Sequence, residues 1–599
     1  MAEDKSTESN PAKKIKPSLE MKREAVKYYN DNAIPQCLEN LLNQMYLENP
    51  ADLYGYMAEY FGKYSQDPLI SKIEFVENIS SRGFLSFKGY AFCIINGLEK
   101  LVTALPCFFD DGPVIEVPRV KSKPTTGSKL KAEKKLTAAQ SSLPLNQSDS
   151  STSKAKIHDF SKHKKNIMEI ALKICGQNVG NQDKTDEAIR SFYDELLKEC
   201  DERIEAEDSE DASEQIIQVP DPATSFCPDC ARKLAINQEE LYLSLLTAKL
   251  SADLAKCSLY KSLLQTYHEK EIHSIVLPIP AVSVIKCGTD GPGKLNMIKC
   301  AYLIPKPGLS YTAGFQKIST VYKELGQCLQ QKLGANGRLT STDGSYLPNL
   351  ERAEQVLEFL QQACNLANVE FEEELGVILD IGASYLYDEE KKKYEASTGN
   401  LKTAEDMMTL YADLIDRYPV IGFIDGLSHK DIDNCQQLNK RFDGKCFCFG
   451  DNMFEDNVNI MEDRIEDKAC NSSVLRLGSL FNNITEMFQI TKFLKEHDCR
   501  VMMSNMTTQG CTSLVTPDLA VAAGSTFIAL GPLVHEESAG AASRLIEIEN
   551  ELTKDGILQR MEEFPFPVHT KDIEIEEEES NAMVINEANK EIIEKKKPS

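Results

Sequence analysis

Four short apolar segments in the second half of this chain each end in a charged residue. They are Gly376–Leu379 before Asp380, Val420–Ile424 before Asp425, Cys446–Gly450 before Asp451, and Val474–Leu475 before Arg476. Apolar runs of this length are typical of buried strands. The loops at the carboxyl ends of barrel strands converge on one mouth, so charges at successive strand ends predict a functional site there.

The surrounding residues support a barrel. From 277 to 552 strand-like runs alternate with amphipathic stretches, among them 354–367 and 403–417. Strands that alternate with helices in this way predict an α/β barrel. At 599 residues the chain is long enough for more than one domain.

The charge and cysteine content exclude several classes of protein. The net charge of -26 argues against a nucleic-acid binder, which needs a basic face. We find no apolar stretch long enough to span a membrane and no signal-peptide core near Met1. Many of the 18 cysteines lie in apolar patterns, as expected of reduced thiols in a cytoplasmic protein.

Residues 22–62 have the pattern of two short amphipathic helices. Apolar residues recur at helical spacing on both sides of a break at Asn49-Pro50. The segment resembles the docking-and-dimerisation module of the Dpy-30 and RII-alpha group. The matching residues are Ile34, Pro35, Leu38, Leu42, Pro50, Asp52, Leu53, Met57 and Tyr60. Such a module dimerises into a four-helix bundle and binds a partner's amphipathic helix; the alternative is that these helices pack on the barrel.

Several segments lack the pattern of a folded core. Residues 1–20, an insert at 119–166 and a charged tail at 571–599 are predicted to be disordered or mobile. A second, acidic insert at 200–230 ends in Cys227-Pro228-Asp229-Cys230. One such pair is half of a zinc site and no second pair follows at finger spacing, so we expect two thiols in an exposed loop.

Phrases spread over residues 69–565 resemble the enolase family, and most strongly its divergent, sperm-type branch. They include Ser81-Arg82-Gly83, Leu277-Pro278-Ile279-Pro280, Leu303-Ile304-Pro305, Arg417-Tyr418-Pro419-Val420 and Leu545–Leu552, in the family's order. The resemblance implies an α/β fold with an enolase-like (β/α)8 barrel at 276–565. It also implies an amino-terminal α+β capping domain at 69–275, interrupted by the two inserts.

The resemblance implies a magnesium-dependent hydro-lyase reaction that converts 2-phosphoglycerate to phosphoenolpyruvate and water in glycolysis. Asp380 and Asp451 match the first and third metal carboxylates of the family. The second falls on Ile424, which cannot ligate, so Asp425 is the neighbouring candidate. Two interpretations of Asp380 and Asp451 are open: they form a weakened magnesium site, or they are capping residues left from an older site.

The other site residues implied by the resemblance are altered. The family's base falls on Arg476, which stays protonated near neutral pH. Its acid-side carboxylates fall on Asp343 and Cys300, and a neighbouring glutamine falls on Lys299. The substrate-binding positions fall on Asn505, Thr507 and Ala529, and Met506 replaces a phosphate-binding arginine.

Two functions therefore stay open. One is a phosphopyruvate hydratase with a remodelled site; the other is a catalytically weak or inactive scaffold built on the same barrel. The resemblance implies 2-phosphoglycerate as ligand and an oligomer, either of this chain alone or with other enolases. Through 22–62 it implies anchoring to an amphipathic helix in a cilium or sperm flagellum.

Overall fold

The structure is a computed structural model that describes residues 19–80, 84–107, 160–195, 228–268, 273–288, 291–504 and 515–567. The predicted disorder at 1–18, 119–159, 200–227 and 571–599 lies outside these residues. The described residues fall into two compact units, one within 1–68 together with 94–99 and the other within the rest of the chain.

The first unit contains three helices. They are α1 (Leu19–Asp31), α2 (Ile34–Glu48) and α3 (Leu53–Gly62). Helix α2 begins with Pro35 in its first turn and ends at Asn49, whose φ of 46° is left-handed. The carboxylate of Asp52 caps α3 by accepting a hydrogen bond of 2.9 Å from Gly55 N. The two predicted helices are therefore preceded by a third, α1.

The remaining elements follow from residue 69 onward. The strands are β1 (Leu69–Ile79), β2 (Leu85–Ile95), β3 (Leu98–Pro106), β4 (Ile275–Val276), β5 (Ile279–Lys286), β6 (Cys300–Pro305), β7 (Leu375–Asp380), β8 (Tyr387–Asp388), β9 (Lys393–Ser397), β10 (Asn400–Lys402), β11 (Val420–Ile424), β12 (Phe447–Gly450), β13 (Ser472–Arg476), β14 (Arg500–Ser504), β15 (Phe527–Leu530) and β16 (Leu558–Gln559). The further helices are α4 (Phe160–Ile174), α5 (182–195), α6 (Pro228–Leu254), α7 (Leu259–Tyr267), α8 (Tyr311–Leu333), α9 (Ala353–Ala367), α10 (Phe371–Glu374), α11 (Ala404–Arg417), α12 (Ile432–Arg441), α13 (Val458–Glu466), α14 (Ile484–Glu496), α15 (Thr516–Ala522) and α16 (Glu536–Asp555).

Three predicted boundaries need correction. Helix α1 begins inside the predicted disorder at 1–20, α4 begins inside the insert at 119–166, and α6 begins inside the insert at 200–230. These helices begin in segments without a continuous apolar periodicity, which is why the sequence pattern placed the boundaries too late.

The predicted barrel is confirmed. Eight strands close in the order β11-β12-β13-β14-β15-β5-β6-β7. One strand departs from the expected parallel pattern, because β6 runs antiparallel to both β5 and β7. The described residues between β5 and β6 contain no α-helix, and the chain turns back there, whereas α8 and α9 carry it across before β7. The start of β6 therefore lies at the same edge as the ends of the other strands.

The barrel interior is apolar. Its buried side chains are Ile279, Ala281, Ile304, Ile378, Ile421, Ile424, Phe447, Phe449, Val474, Met502, Phe527 and Ala529, with Phe564 and Phe566 packed against them. The Phe447 and Phe566 rings lie 4.7 Å apart. Pro565 O accepts a hydrogen bond from Arg500 Nε at the start of β14. Residues 564–566 thus cover the end of the barrel opposite the predicted mouth.

A three-stranded sheet in the order β1-β2-β3 precedes the barrel. Tyr242 of α6 joins this sheet, since its hydroxyl donates to Leu105 O at 2.7 Å and accepts from Gly89 N at 2.8 Å. The cysteines in the described residues are free thiols, most of them buried, as the sequence predicted. No helix in the described ranges is both long and apolar enough to cross a membrane.

Candidate active site

The four predicted strand-end charges lie at one edge of the barrel. Asp380 ends β7, Arg476 ends β13, and Asp425 and Asp451 directly follow β11 and β12. These four strands are neighbours in the order β7-β11-β12-β13, all parallel. These residues form the mouth together with Lys286, Lys299, Cys300 and Asp343. Lys286 ends β5, Lys299 and Cys300 lie at the start of the antiparallel β6, and Asp343 lies in the loop after α8.

Asp425 is turned away from the mouth into the loop that follows β12. Its φ of 47° bends the strand end, and its side chain is 1% exposed. Oδ1 accepts a hydrogen bond from Asp451 N at 2.9 Å, and Oδ2 accepts from Asn452 N at 2.8 Å and from Asn452 Nδ2 at 2.7 Å. Both oxygens therefore hold the backbone of the next strand end.

Asp451 and Arg476 form an ion pair across the mouth. Arg476 Nη2 donates to Asp451 Oδ2, and the two side chains are only 19% and 10% exposed. An arginine keeps its charge throughout the physiological range, and its ion pair with a carboxylate in a sheltered position is charge-assisted. Arg476, predicted to replace the family's base, and Asp451, predicted as a metal ligand, are thus bonded to each other.

Asp380 is the most secluded carboxylate that faces the mouth. Burial raises its pKa, Asp425 adds to this effect, and the nearby cations Lys299, Arg476 and Lys286 oppose it. The backbone holds Lys299 beside it, because Lys299 N donates to Asp380 O at 2.7 Å. The Lys299 ammonium lies 5.8 Å from the centroid of the Tyr385 ring, and within the described part of the chain it forms no ion pair.

Asp343 is held by a lysine that the sequence did not single out. Lys286 Nζ lies 2.9 Å from Asp343 Oδ2, which also accepts from Ser283 Oγ at 3.3 Å and Ser345 Oγ at 3.1 Å. Burial alone would raise the pKa of Asp343, but Lys286 and the hydrogen bonds from the Ser341 side chain and the Ser345 backbone N–H lower it overall. Lys286 is the last residue of β5, so the strand-end rule applied to this strand would have found it.

Two further predicted residues, Cys300 and Ala529, are described by the structure, and both are buried. The Cys300 thiol is buried, and burial raises its pKa above the ordinary value. Ala529 lies in the apolar barrel core next to β5, whose Ala281 pairs with it. Asn505, Met506 and Thr507 lie outside the described residues.

The donor set does not fit the magnesium ion that the resemblance implies. Magnesium takes an octahedral shell of oxygen atoms, with carboxylates facing the ion. Both oxygens of Asp425 accept N–H groups, Asp451 is bonded to Arg476, and Ile424 offers no donor. Within the described ranges no three His, Cys, Asp or Glu side chains are placed to hold one metal ion.

Comparison with known proteins agrees with the architecture. Residues 274–564 match the family model described as "Enolase, C-terminal TIM barrel domain". The chain is 26% identical over 587 residues to "Enolase 4" of Xenopus laevis, covering 93% of this chain and 96% of that protein. It is 26% identical over 609 residues to "Enolase 4" of Mus musculus, covering 92% and 93%.

A bacterial relative matches a shorter stretch. "Enolase" of Helicobacter pylori (strain G27) is 27% identical over 320 residues, which cover 53% of this chain and 72% of that protein. The family model begins at residue 274 and does not extend to 22–62. The predicted docking module therefore rests on the residues of that segment alone.

Proposed function

We propose that this chain is a member of the enolase family whose barrel serves as a binding scaffold with little or no hydro-lyase activity. The match of residues 274–564 to the family's barrel model supports the membership. One observation carries the proposal. Two of the three cations at the mouth are already paired with the mouth's own carboxylates, Arg476 with Asp451 and Lys286 with Asp343. Groups that neutralise each other are not available to remove a proton or to hold a multiply charged intermediate.

The proton-abstraction side of the reaction supports this proposal. Enolase chemistry removes a proton next to a carboxylate, and in the family a lysine takes it. An arginine guanidinium keeps its proton near neutral pH, so Arg476 cannot act as a base. Ala529 has no donor for the carboxylate of the intermediate. Loss of a base and of a carboxylate clamp together costs many powers of ten in rate.

The acid side supports it independently. A group that protonates the departing hydroxide must itself hold a proton at working pH. The pKa of Asp343 is lowered by its Lys286 partner, so Asp343 is a carboxylate under these conditions. The Cys300 thiol keeps its proton too tightly, since burial raises its pKa. Neither group is tuned to the role.

A weakly active hydratase is the second candidate. It is favoured by one residue, Lys299, which is half-buried at the mouth beside Asp380 and forms no ion pair with the residues that the structure describes. A lysine in this position can accept a proton once its own is lost. In this alternative Lys299 replaces the base that Arg476 cannot supply, and 2-phosphoglycerate is the substrate.

Dehydration of 2-phosphoglycerate separates the two candidates. We expect purified full-length protein with magnesium to produce phosphoenolpyruvate no faster than the Asp380→Ala, Asp451→Ala double variant. The exposed substitution Lys294→Ala is the matched control, because its ion pair with Glu351 lies on the surface. Activity that disappears in the double variant would overturn the scaffold proposal. If the Lys299→Ala variant also lost dehydration activity, Lys299 would be assigned as the base.

The helices of residues 22–62 supply the second part of the proposal, a docking surface that takes a second copy of this chain. In α2 Leu41 is buried, while Leu38, Leu42 and Tyr46 form a stripe at four-residue spacing on an exposed face. Leu42 and Tyr46 are 56% and 87% exposed. Two such faces, one from each copy, would bury each other in a four-helix bundle. Anchoring to a ciliary or flagellar helix belongs to the same proposal and rests on the resemblance of this segment.

Charges on the stripe test the docking surface. We expect Leu38→Asp with Leu42→Asp to convert a dimer of the full-length protein into monomer, because each dimer would bury four carboxylates in an apolar interface. Light scattering after size-exclusion chromatography gives the mass. Asn40→Asp with Gln44→Asp adds the same charges to exposed polar positions of α2 and should leave the mass unchanged. A dimer that survives both changes would assign the interface to other residues.

A further inference from the structure

We propose that the Arg476 guanidinium is a tethered cation that takes the place of a divalent metal ion at this mouth. The inference starts from a disagreement, since the barrel resembles that of a magnesium-dependent family but its described carboxylates do not form a magnesium shell. It rests on the same ion pair as the proposed function and goes beyond it. The mouth is organised by a charge that the chain itself supplies.

Arg476 is in direct contact with one of the aspartates that the sequence assigned to a metal. Asp451 is bonded to it. Asp380 ends β7 at the same edge of the barrel at which Arg476 ends β13. A positive charge held by a strand-end carboxylate at this edge stands where a metal ion would need its carboxylate ligands.

The local structure explains why the guanidinium reaches this position. Arg476 is the last residue of β13, whose neighbour β12 ends just before Asp451. The carboxylate of Asp425 fixes the Asp451 backbone by accepting its N–H at 2.9 Å. Asp451 is therefore aimed by Asp425 and neutralised by Arg476, so two of the three carboxylates act in one hydrogen-bonded chain.

A tethered cation differs from a bound ion in its consequences. An arginine does not dissociate and does not lose its proton in the physiological range. A divalent ion that entered would have to break the Arg476–Asp451 bond and lie next to a permanent positive charge. The mouth should therefore keep its geometry without magnesium and should reject divalent ions until Arg476 is removed.

Manganese(II) binding to the full-length protein tests the inference, measured by electron paramagnetic resonance and by calorimetric titration. We expect the wild-type protein to show no saturable site in the millimolar range. Arg476→Met removes the charge and keeps an unbranched side chain of similar length. We expect it to bind manganese at least about tenfold more tightly than the wild type, a gain of about 1.4 kcal/mol.

Two further variants make the outcome decisive. Arg476→Lys retains a cation and should still reject manganese, whereas Arg476→Met combined with Asp380→Asn and Asp451→Asn should lose the acquired site. Submillimolar binding to the wild type that Asp451→Asn abolishes would overturn the inference, as would an Arg476→Met protein that folds and gains no binding. If Arg476→Met does not fold, the wild-type and Arg476→Lys titrations decide alone.

The test is independent of the proposed function. Dehydration activity in a protein that rejects manganese would refute the scaffold proposal and leave the tethered cation intact. If the wild-type protein bound manganese but had no dehydration activity, the tethered cation would be refuted and the scaffold proposal would stand. The two claims therefore fail separately.

Discussion

Replacing Arg544 with methionine is expected to destabilise the folded chain by about 3–5 kcal/mol, because it leaves a buried carboxylate without its partner. The carboxylate is that of Asp518, which is 3% exposed in α15. Arg544 of α16 binds it with both prongs of its fork, through Nε to Oδ2 at 2.8 Å and through Nη2 to Oδ1 at 2.8 Å. Paired hydrogen bonds of this kind are the strong form of an ion pair.

The same pair connects three helices. Tyr260 N of α7 donates to Asp518 Oδ1 at 3.2 Å, and Arg544 Nη1 also reaches Glu551 Oε1 at 3.1 Å. Hydrogen bonds to Asp518 raise the pKa of Arg544, which shows how strongly its charged form is held. Removal of the guanidinium therefore affects the packing of α7, α15 and α16 together.

Thermal and urea unfolding of matched variants would measure this effect. Arg544→Lys should lose part of the stability, since it keeps the charge and loses the fork. Lys294→Met removes an exposed cation that pairs with Glu351 on the surface, and we expect the free energy of unfolding to be almost unchanged. Asp518→Asn should recover stability in the Arg544→Met background. An Arg544→Met protein as stable as the Lys294→Met control would contradict the argument.

Replacing Glu240 with glutamine is expected to remove a loss of stability that develops as the pH rises. Glu240 of α6 is buried beside the first turn of α14, where its Oε1 accepts from Asn483 Nδ2 at 2.8 Å. Burial raises the pKa of Glu240 to about 8, Glu486 and Asp186 add to this increase, and the Asn483 hydrogen bond and Arg190 oppose it. The folded protein therefore holds the neutral acid near neutral pH.

The direction of the pH dependence follows from proton linkage. Between the unfolded pKa of about 4.5 and the folded pKa of about 8, the folded state binds more protons than the unfolded state, so stability falls as the pH rises. The fall is complete above about pH 8 and absent below about pH 4.5. Each tenfold change in proton affinity corresponds to about 1.4 kcal/mol, which makes the full cost on the order of 5 kcal/mol.

Unfolding midpoints at pH 5 and pH 8.5 would detect the effect. We expect the Glu240→Gln variant to gain stability relative to wild type between these two pH values, because a neutral amide has no charge to bury. Glu358→Gln makes the same chemical change at an exposed position of α9 and should show no such gain. A constant difference between wild type and Glu240→Gln at both pH values would refute the assigned role of burial.

The cost at Glu240 is offset by polar contacts that tie the capping helices to the barrel. Asp186 of α5 accepts from Thr485 N at 3.2 Å and from Thr485 Oγ1 at 2.7 Å, and Ser244 Oγ accepts from Ile484 N at 3.0 Å. These acceptors satisfy the first N–H groups of α14, which have no partner inside the helix. Asp186 and Ser244, from two helices that precede the barrel, thus satisfy the first turn of the barrel helix α14.

The barrel strands could be predicted from the sequence because burial on both faces demands continuous apolar runs. Segments such as 376–379 and 420–424 have no polar residue to place toward solvent, and β7 and β11 are buried along their length. The charged residue after each run marked the strand end. Amphipathic spacing predicted α9 and α11 nearly to their boundaries for the same reason.

The direction of β6 and the partners of the mouth charges could not be predicted in this way. A strand has the same apolar pattern in either direction, so Lys299 and Cys300 gave no sign that they begin a strand at the mouth. Asp425 and Asp451 follow equivalent runs, yet one carboxylate binds backbone N–H groups and the other binds Arg476. Lys286 and Asp343 are 57 positions apart and meet only in the closed barrel.

The sequence by itself determined where the strands lie and that their ends carry charges, which are properties of residue type and local pattern. Its resemblance to the enolase family predicted that Arg476 and Ala529 stand in place of the family's base and of a substrate-binding residue. Only the tertiary structure decided which charges face each other, because pairing depends on strand order, the antiparallel β6 and the bend at Asp425. Charges that a sequence pattern places at one mouth can bind a ligand or bind each other, and the distances between them determine which.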